Sequence, residues 1–230
     1  MAKVLVIADT QAPFIHQDYL RFLKAVQKKF KTTITVHVGD LVDHHALGDW
    51  DHDPDGFSAG DELKEAIKQL QPYYKAFPNM KVCKGNHDER IFRRAMKHGI
   101  PRAYLREYRE FLAAPKGWKW QDRVEIDSVV YKHGLGYSGV TGAINAAKDE
   151  LKSCVIGHLH ADAGVLFWAN SQVLLFGMNV GSGIDKDSYA FEYGKHMRKK
   201  PILSCGVVVD GNPVLVTMHL NKRGRWTGKL

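Results

Sequence analysis

The stretch Lys84-Gly85-Asn86-His87-Asp88-Glu89-Arg90 constrains this chain more than any other. It lies between an apolar run ending at Val82 and a helical pattern beginning near Glu89, so its local order is strand, turn, helix. Gly85 tolerates backbone angles that other residues resist. An amide, an imidazole and a carboxylate follow it at the C-terminal edge of a strand, where open α/β sheets bind ligands. Alone, such a segment is only a turn. Four others make the pattern specific: Asp9 follows the run Val4 to Ala8, Gly39-Asp40 follows Ile34 to Val38, His133-Gly134 follows Val129 to Lys132, and Gly157-His158-Leu159-His160 follows Cys154 to Ile156. Strand ends thus deliver carboxylates, imidazoles and an amide, the side chains that ligate metal ions.

The 230 residues are enough for one domain with a large core, and no linker or repeat divides them, so a single domain over 1–230 is expected. No apolar run approaches the roughly 20 residues that cross a bilayer. Met-Ala-Lys is followed at once by Val-Leu-Val-Ile-Ala, without the longer apolar segment of a signal peptide, so a cytoplasmic protein without a membrane partner is expected. Cys83, Cys154 and Cys205 stand in or beside apolar runs with no C-x-x-C spacing and read as small buried hydrophobes. A net charge of +8 favours an anionic partner.

Residues 18–30 show helical spacing and read as a crossover between parallel strands. A second helix is expected from Gly60 or Asp61 to about Tyr74 with Leu63, Ile67 and Leu70 inward, after a polar loop from His44 to Gly56. Glu89 to Lys97 and Pro101 to Leu112 predict two helices broken at Gly99-Ile100-Pro101. A turn at 114–118 leads to paired strands at Val124 to Ile126 and Val129 to Lys132, and a helix runs from about Ala143 to Lys152. The remainder is strand-rich: Val173 to Phe176, Leu203 to Val209, a turn at 210–213, and Val214 to His219.

This ordered set resembles the calcineurin-like metallophosphoesterases, whose motifs run D-x-H, G-D-x-x-D, G-N-H-[DE], a later H-G, and G-H-x-H before an N-x-G-S turn. The order matches over about residues 4–183, with Asn179-Val180-Gly181-Ser182 at the last turn. The resemblance implies an α/β fold, a four-layer α/β/β/α sandwich with two mixed β-sheets, and a dinuclear metal centre that hydrolyses phosphoesters. Asp9, Asp40 and His160 would hold the first metal; Asp40, Asn86, His133 and His158 would hold the second. The spacing of His158 and His160 points both rings to one side if the segment is extended. His87 would stabilise the pentavalent phosphorus or protonate the leaving oxygen, with Asp88 fixing its tautomer, while Asp43 supports the Asp40 loop. His37, His98, His196 and His219 read as strand, helix-end, surface or packing residues.

One departure stands out. The chain has Asp9-Thr10-Gln11 where the family has D-x-H. Gln11 would ligate through its carbonyl oxygen, suiting manganese or magnesium over zinc or iron, or His16 would reach back around Pro13. The D-x-Q-x-P opening is similar to that of phage-encoded members of the superfamily, which would place the protein in a host cytoplasm.

Arg90, Arg93, Arg94 and Lys97 form one stripe leading away from the central turn. Arg102, Arg106 and Arg109, then Arg198-Lys199-Lys200 and Lys222-Arg223-Gly224-Arg225-Trp226, add basic clusters. A phosphodiesterase or nuclease acting on DNA or RNA is the first expectation. A phosphatase or cyclic-nucleotide phosphodiesterase on a small or protein-borne phosphate is the second, and a catalytically weak nucleic-acid-binding protein the third.

Overall fold

Alternate residues of the first strand serve two different cores. The computed structural model describes residues 1–49, 55–187 and 199–230. In it Leu5 and Ile7 of β1 (Lys3–Ile7) pack toward helices, while Val4, Val6 and the following Ala8 pack toward a second sheet. β1 sits inside a six-stranded sheet ordered β11 (Asn212–Thr217), β10 (Ser204–Val209), β1, β2 (Ile34–His37), β3 (Met80–Cys83), β4 (Trp118–Gln121). β1 to β4 are mutually parallel and β10 and β11 antiparallel. The five-stranded sheet is ordered β5 (Arg123–Ile126), β6 (Val129–Lys132), β7 (Ser153–Ile156), β9 (Leu174–Asn179), β8 (Gly164–Ala169), with β6, β7 and β9 parallel. Helices α1 (Tyr19–Phe30) and α2 (Ala59–Ala76) cover the outer face of the first sheet, and α5 (Gly142–Glu150) that of the second. The expected α/β/β/α layering with two mixed sheets is therefore present.

The three cysteines are free and buried. Asp210 and Gly211 both have positive φ (51° and 81°) between β10 and β11, as the twist of a tight hairpin demands. Among the described residues no helix is long and apolar enough to cross a membrane.

Several expectations are corrected. Strands β4 and β8 were not evident from pattern: β4 has two tryptophans in a turn-like context, and β8 is an edge strand with exposed apolar residues. The helix expected over 101–112 is a 3-10 turn (Arg102–Tyr104) and a short α4 (Tyr108–Phe111), because Leu105 and Glu107 are extended. Its arginines therefore form no stripe. On α2 the inward face is Glu62, Ala66, Leu70 and Tyr73, rotated so that Leu63 and Ile67 are only partly buried. Residues 50–54 of the polar loop, His196 and Arg198 lie outside the described residues.

Candidate metal centre

The parallel strands of both sheets end together, and their C-terminal ends carry the polar residues: Asp9 after β1, Asp40 after β2, Asn86 after β3, His133 after β6, His158 and His160 after β7. Main-chain bonds lock the first two ends together. Asp9 N donates to Gly39 O (3.1 Å), Gln11 N to Asp40 O (2.9 Å) and Ala12 N to Leu41 O (2.9 Å). Strained backbone accumulates here, with positive φ at Asp9 (45°), Gln11 (44°), Asp40 (53°) and His158 (71°), each costing on the order of 1 kcal/mol or more. Gly85, expected to supply an unusual backbone angle, is not among the positive-φ residues; it supplies room. A Cβ there would stand 2.0 Å from Asp40 Oδ1 and 2.2 Å from Asp40 N.

The two carboxylates are bound in the same asymmetric way. Asp9 Oδ2 accepts from His158 N (2.8 Å) and Asp40 Oδ1 accepts from His87 N (2.8 Å). Their other oxygens, Asp9 Oδ1 and Asp40 Oδ2, are buried and accept no hydrogen bond of good geometry; what lies near them is imidazole nitrogen, His160 Nε2 at 3.4 Å and His133 Nε2 at 3.2 Å. Around them, Asp40, His133 and His158 bring ligand atoms within 4.8 Å of one another, and so do Asp9, Asp40 and His160. Asp40 belongs to both groups. Asn86 Oδ1 joins the former, 2.9 Å from His133 Nε2, which is also 3.2 Å from Asp40 Oδ2. His133 Nδ1 lies 3.0 Å from Val38 O, an arrangement that directs Nε2 inward. The donor set fits divalent cations: two buried carboxylate oxygens, an amide oxygen and three imidazoles.

The fields agree. Burial would depress the His133 imidazole, but the Asp40 carboxylate and, further off, Asp9 carry it up to about 10. Burial opposes ionisation of Asp40, yet His133 and His87 hold its carboxyl well below the usual range. The two shifts are reciprocal: each partner of the Asp40–His133 pair favours the charged form of the other.

His87 is held from a direction unlike that expected. Its Nδ1 lies 2.5 Å from Asp43 Oδ1, and its Nε2 is 3.2 Å from Arg90 Nη2 and 3.9 Å from Asp40 Oδ2. Burial lowers the basicity of this imidazole, but Asp40 and Asp43 outweigh it and raise it. Asp88 does not touch the ring. Its carboxylate accepts from Gly85 N (2.9 Å) and Val42 N (3.1 Å), tying the central turn to the Asp40 loop, and burial with the nearby Asp40 charge pushes it up to about 7. Asp43, expected only to brace a loop, is the partner of His87.

Gln11 and His16 are placed differently. Gln11 is buried, its carboxamide nitrogen 3.5 Å from His87 Nδ1. His16 faces away, with Nδ1 accepting from Asp18 N (3.1 Å) and Nε2 3.0 Å from Gly224 O. His158 and His160 are not on an extended segment: Leu159 N bonds back to Gly157 O (2.9 Å) in a tight turn about His158.

The basic stripe is divided. Arg90 Nη1 donates to Asp43 O (2.9 Å), and Arg94 donates from Nε to Leu47 O (2.9 Å) and from Nη2 to Gly48 O. Arg93 and Lys97 are exposed. In the basic cluster over 222–226, Trp226 is buried edge-on against Phe22, and Arg225 grips Asp18 through two 2.7 Å bonds. Sequence reasoning missed Glu62, whose buried carboxylate accepts from His45 N (2.7 Å) and Ala46 N (2.8 Å). Its signal is an acid on the inward face of an amphipathic helix.

A family model described as calcineurin-like phosphoesterase matches residues 2–170. Among solved structures, hypothetical protein PH1004 from Pyrococcus horikoshii OT3 is similar at 12% identity and TM-score 0.50, over 97% of this chain and 90% of that one. Yfce, a phosphoesterase from E. coli, is similar at 16% identity and TM-score 0.42, over 99% and 98%. Wild-type Vps29 complexed with zinc from Entamoeba histolytica is similar at 15% identity and TM-score 0.43, over 93% and 96%. A search of curated proteins finds no significant match.

Proposed function

The chain belongs to the calcineurin-like phosphoesterase family, and we propose that it is a two-metal phosphodiesterase acting on nucleic acid. Asp9, Asp40 and His160 would hold one divalent cation, and Asp40, Asn86, His133 and His158 the other. The observation that carries this reading is the convergence of two buried carboxylate oxygens, Asp9 Oδ1 and Asp40 Oδ2, with three imidazoles and no other hydrogen-bond donor on them. When bound, such cations neutralise phosphate charge and acidify a water.

The chain's own residues supply the rest. Asp43 holds His87 through Nδ1 and Arg90 Nη2 lies 3.2 Å from Nε2; Nε2, once it exchanges that contact for substrate, is the nitrogen to stabilise the pentavalent phosphorus or to protonate the leaving oxygen. Arg90, against both His87 and Asp43, keeps that ring in place. Gln11, an amide where imidazole is usual in the family, favours a harder cation, and manganese is the first choice over zinc, iron or magnesium. The net charge of +8 supports a polyanionic substrate.

Metal analysis of protein purified without chelator, followed by assay on bis-p-nitrophenyl phosphate and p-nitrophenyl phosphate, tests the proposal. Bound metal and diester preference are expected. Monoester preference moves the reading to a phosphatase, and metal-free, inert protein reduces the cluster to a binding site without chemistry.

A further inference from the structure

Beside the cluster lies a cavity of about 360 Å³ whose wall is Asn86, Arg90, Arg93, Arg94, Lys97 and the 47–49 segment. Asn86 is common to both spaces. Its side-chain oxygen meets His133 within the cluster, while its carbonyl oxygen accepts from Arg93 Nη2 (3.2 Å) in the cavity. A group bound at the cluster and a group seated in the cavity are therefore neighbours.

The four cations are not equivalent. Arg90 and Arg94 spend donors on the carbonyls of Asp43, Leu47 and Gly48, and so build the wall. Arg93 commits a single N–H to Asn86 O, of the five that a guanidinium carries. Among the described residues Lys97 has only a 3.8 Å pairing with Asp49, whose side chain is 72% exposed and screened by water. Arg90 also pairs with the Asp43 carboxylate (3.5 Å) and Arg94 with that of Asp49 (3.3 Å), so among the described residues Arg93 and Lys97 are the two that keep donors to offer.

Resting on the phosphoesterase reading of the cluster, we infer that this cavity is a subsite for the phosphate adjacent to the scissile one, so that the substrate is a nucleic-acid strand. A strand presents a phosphate at every nucleotide, and contacts to such phosphates set its register on a protein. A guanidinium fork with an ammonium beside it matches phosphate oxygens. A mononucleotide or a protein-borne phosphate would leave this wall empty.

The test compares the protein with the double variant Arg93→Gln/Lys97→Gln, both loaded with manganese. The substrates are thymidylyl-thymidine and the same dinucleotide with one added terminal phosphate, 5′ or 3′. A subsite predicts kcat/KM about tenfold higher for one of the two phosphorylated forms, and a ratio near one in the variant. A ratio near one for the unaltered protein, or an unchanged ratio in the variant, overturns it. No turnover on any substrate would instead count against the phosphoesterase reading. Binding of a fluorescent oligothymidylate to metal-free protein is therefore measured in parallel across salt concentrations. Loss of that one phosphate contact flattens the plot of log K against log salt by about 0.7 for a single strand. Equal slopes overturn the subsite whatever the activity shows.

Discussion

The two halves of the cluster share Asp40 and differ in almost everything else. On one side the His133 ring is 4% exposed and anchored through Nδ1 at Val38 O, stands edge-on to His158 with ring centroids 4.9 Å apart, and has Asn86 beside it. On the other, His160 is 23% exposed and its Nε2 is 3.4 Å from Asp9 Oδ1, while the buried Gln11 has its carboxamide nitrogen 3.5 Å from His87 Nδ1. The lesson is one of preorganisation. A group whose ring is oriented by a main-chain acceptor binds borderline metals well, whereas an open group with an amide in place of imidazole selects weakly and favours hard cations.

Removing what the halves share has the largest effect. Asp40→Ala is expected to abolish diester hydrolysis and both equivalents of metal, whereas His133→Ala and His160→Ala each lose one, the latter the weaker. Elemental analysis with a chromogenic diester assay measures this. Near-full activity and metal content in Asp40→Ala would end the two-metal reading.

Next in size is the proton-transfer side. His87→Gln is expected to keep its metal while turnover falls by on the order of 10² to 10⁴. Asp43→Asn should cost about 10- to 100-fold, as outer partners of active imidazoles do. Asp88→Asn, which disturbs main-chain bonds to Gly85 and Val42, should lower stability by about 1–3 kcal/mol with little change in turnover per folded molecule. Denaturant melts beside steady-state rates separate the two. A greater catalytic loss in Asp88→Asn than in Asp43→Asn would reverse the assignment.

The smallest change sharpens the comparison directly. Gln11→His supplies the open half with an imidazole, and zinc should bind it on the order of tenfold more tightly, while His16→Ala leaves metal binding as it was. Calorimetric titration with zinc and manganese reads both. An unchanged profile in Gln11→His would place that side chain outside the coordination sphere.

The strand ends are legible because an apolar run announces where a parallel strand stops, and the residue just beyond it faces the ligand edge of the sheet. Asp9, Asp40, Asn86, His133, His158 and His160 each follow such a run or its glycine, so their assembly can be read before any contact is known. The basic stripe was only half legible. Helical spacing puts Arg90, Arg93, Arg94 and Lys97 together, but nothing local distinguishes the two that hold the loop over 43–48 from the two that keep donors free.

By itself, then, the sequence determined most strands and helices, the order of the strand ends and the chemistry they carry, since hydrophobic period and turn residues act over a few positions, while the layering was implied by the family resemblance. Tertiary structure alone decided the partnerships: Asp43 rather than Asp88 on His87, Glu62 beneath His45 and Ala46, His16 turned toward Gly224, Trp226 buried rather than offered to a ligand. Each depends on which loop folds against which helix. A hydrogen bond between residues distant in the chain is selected by packing around both partners and leaves no periodic mark on either.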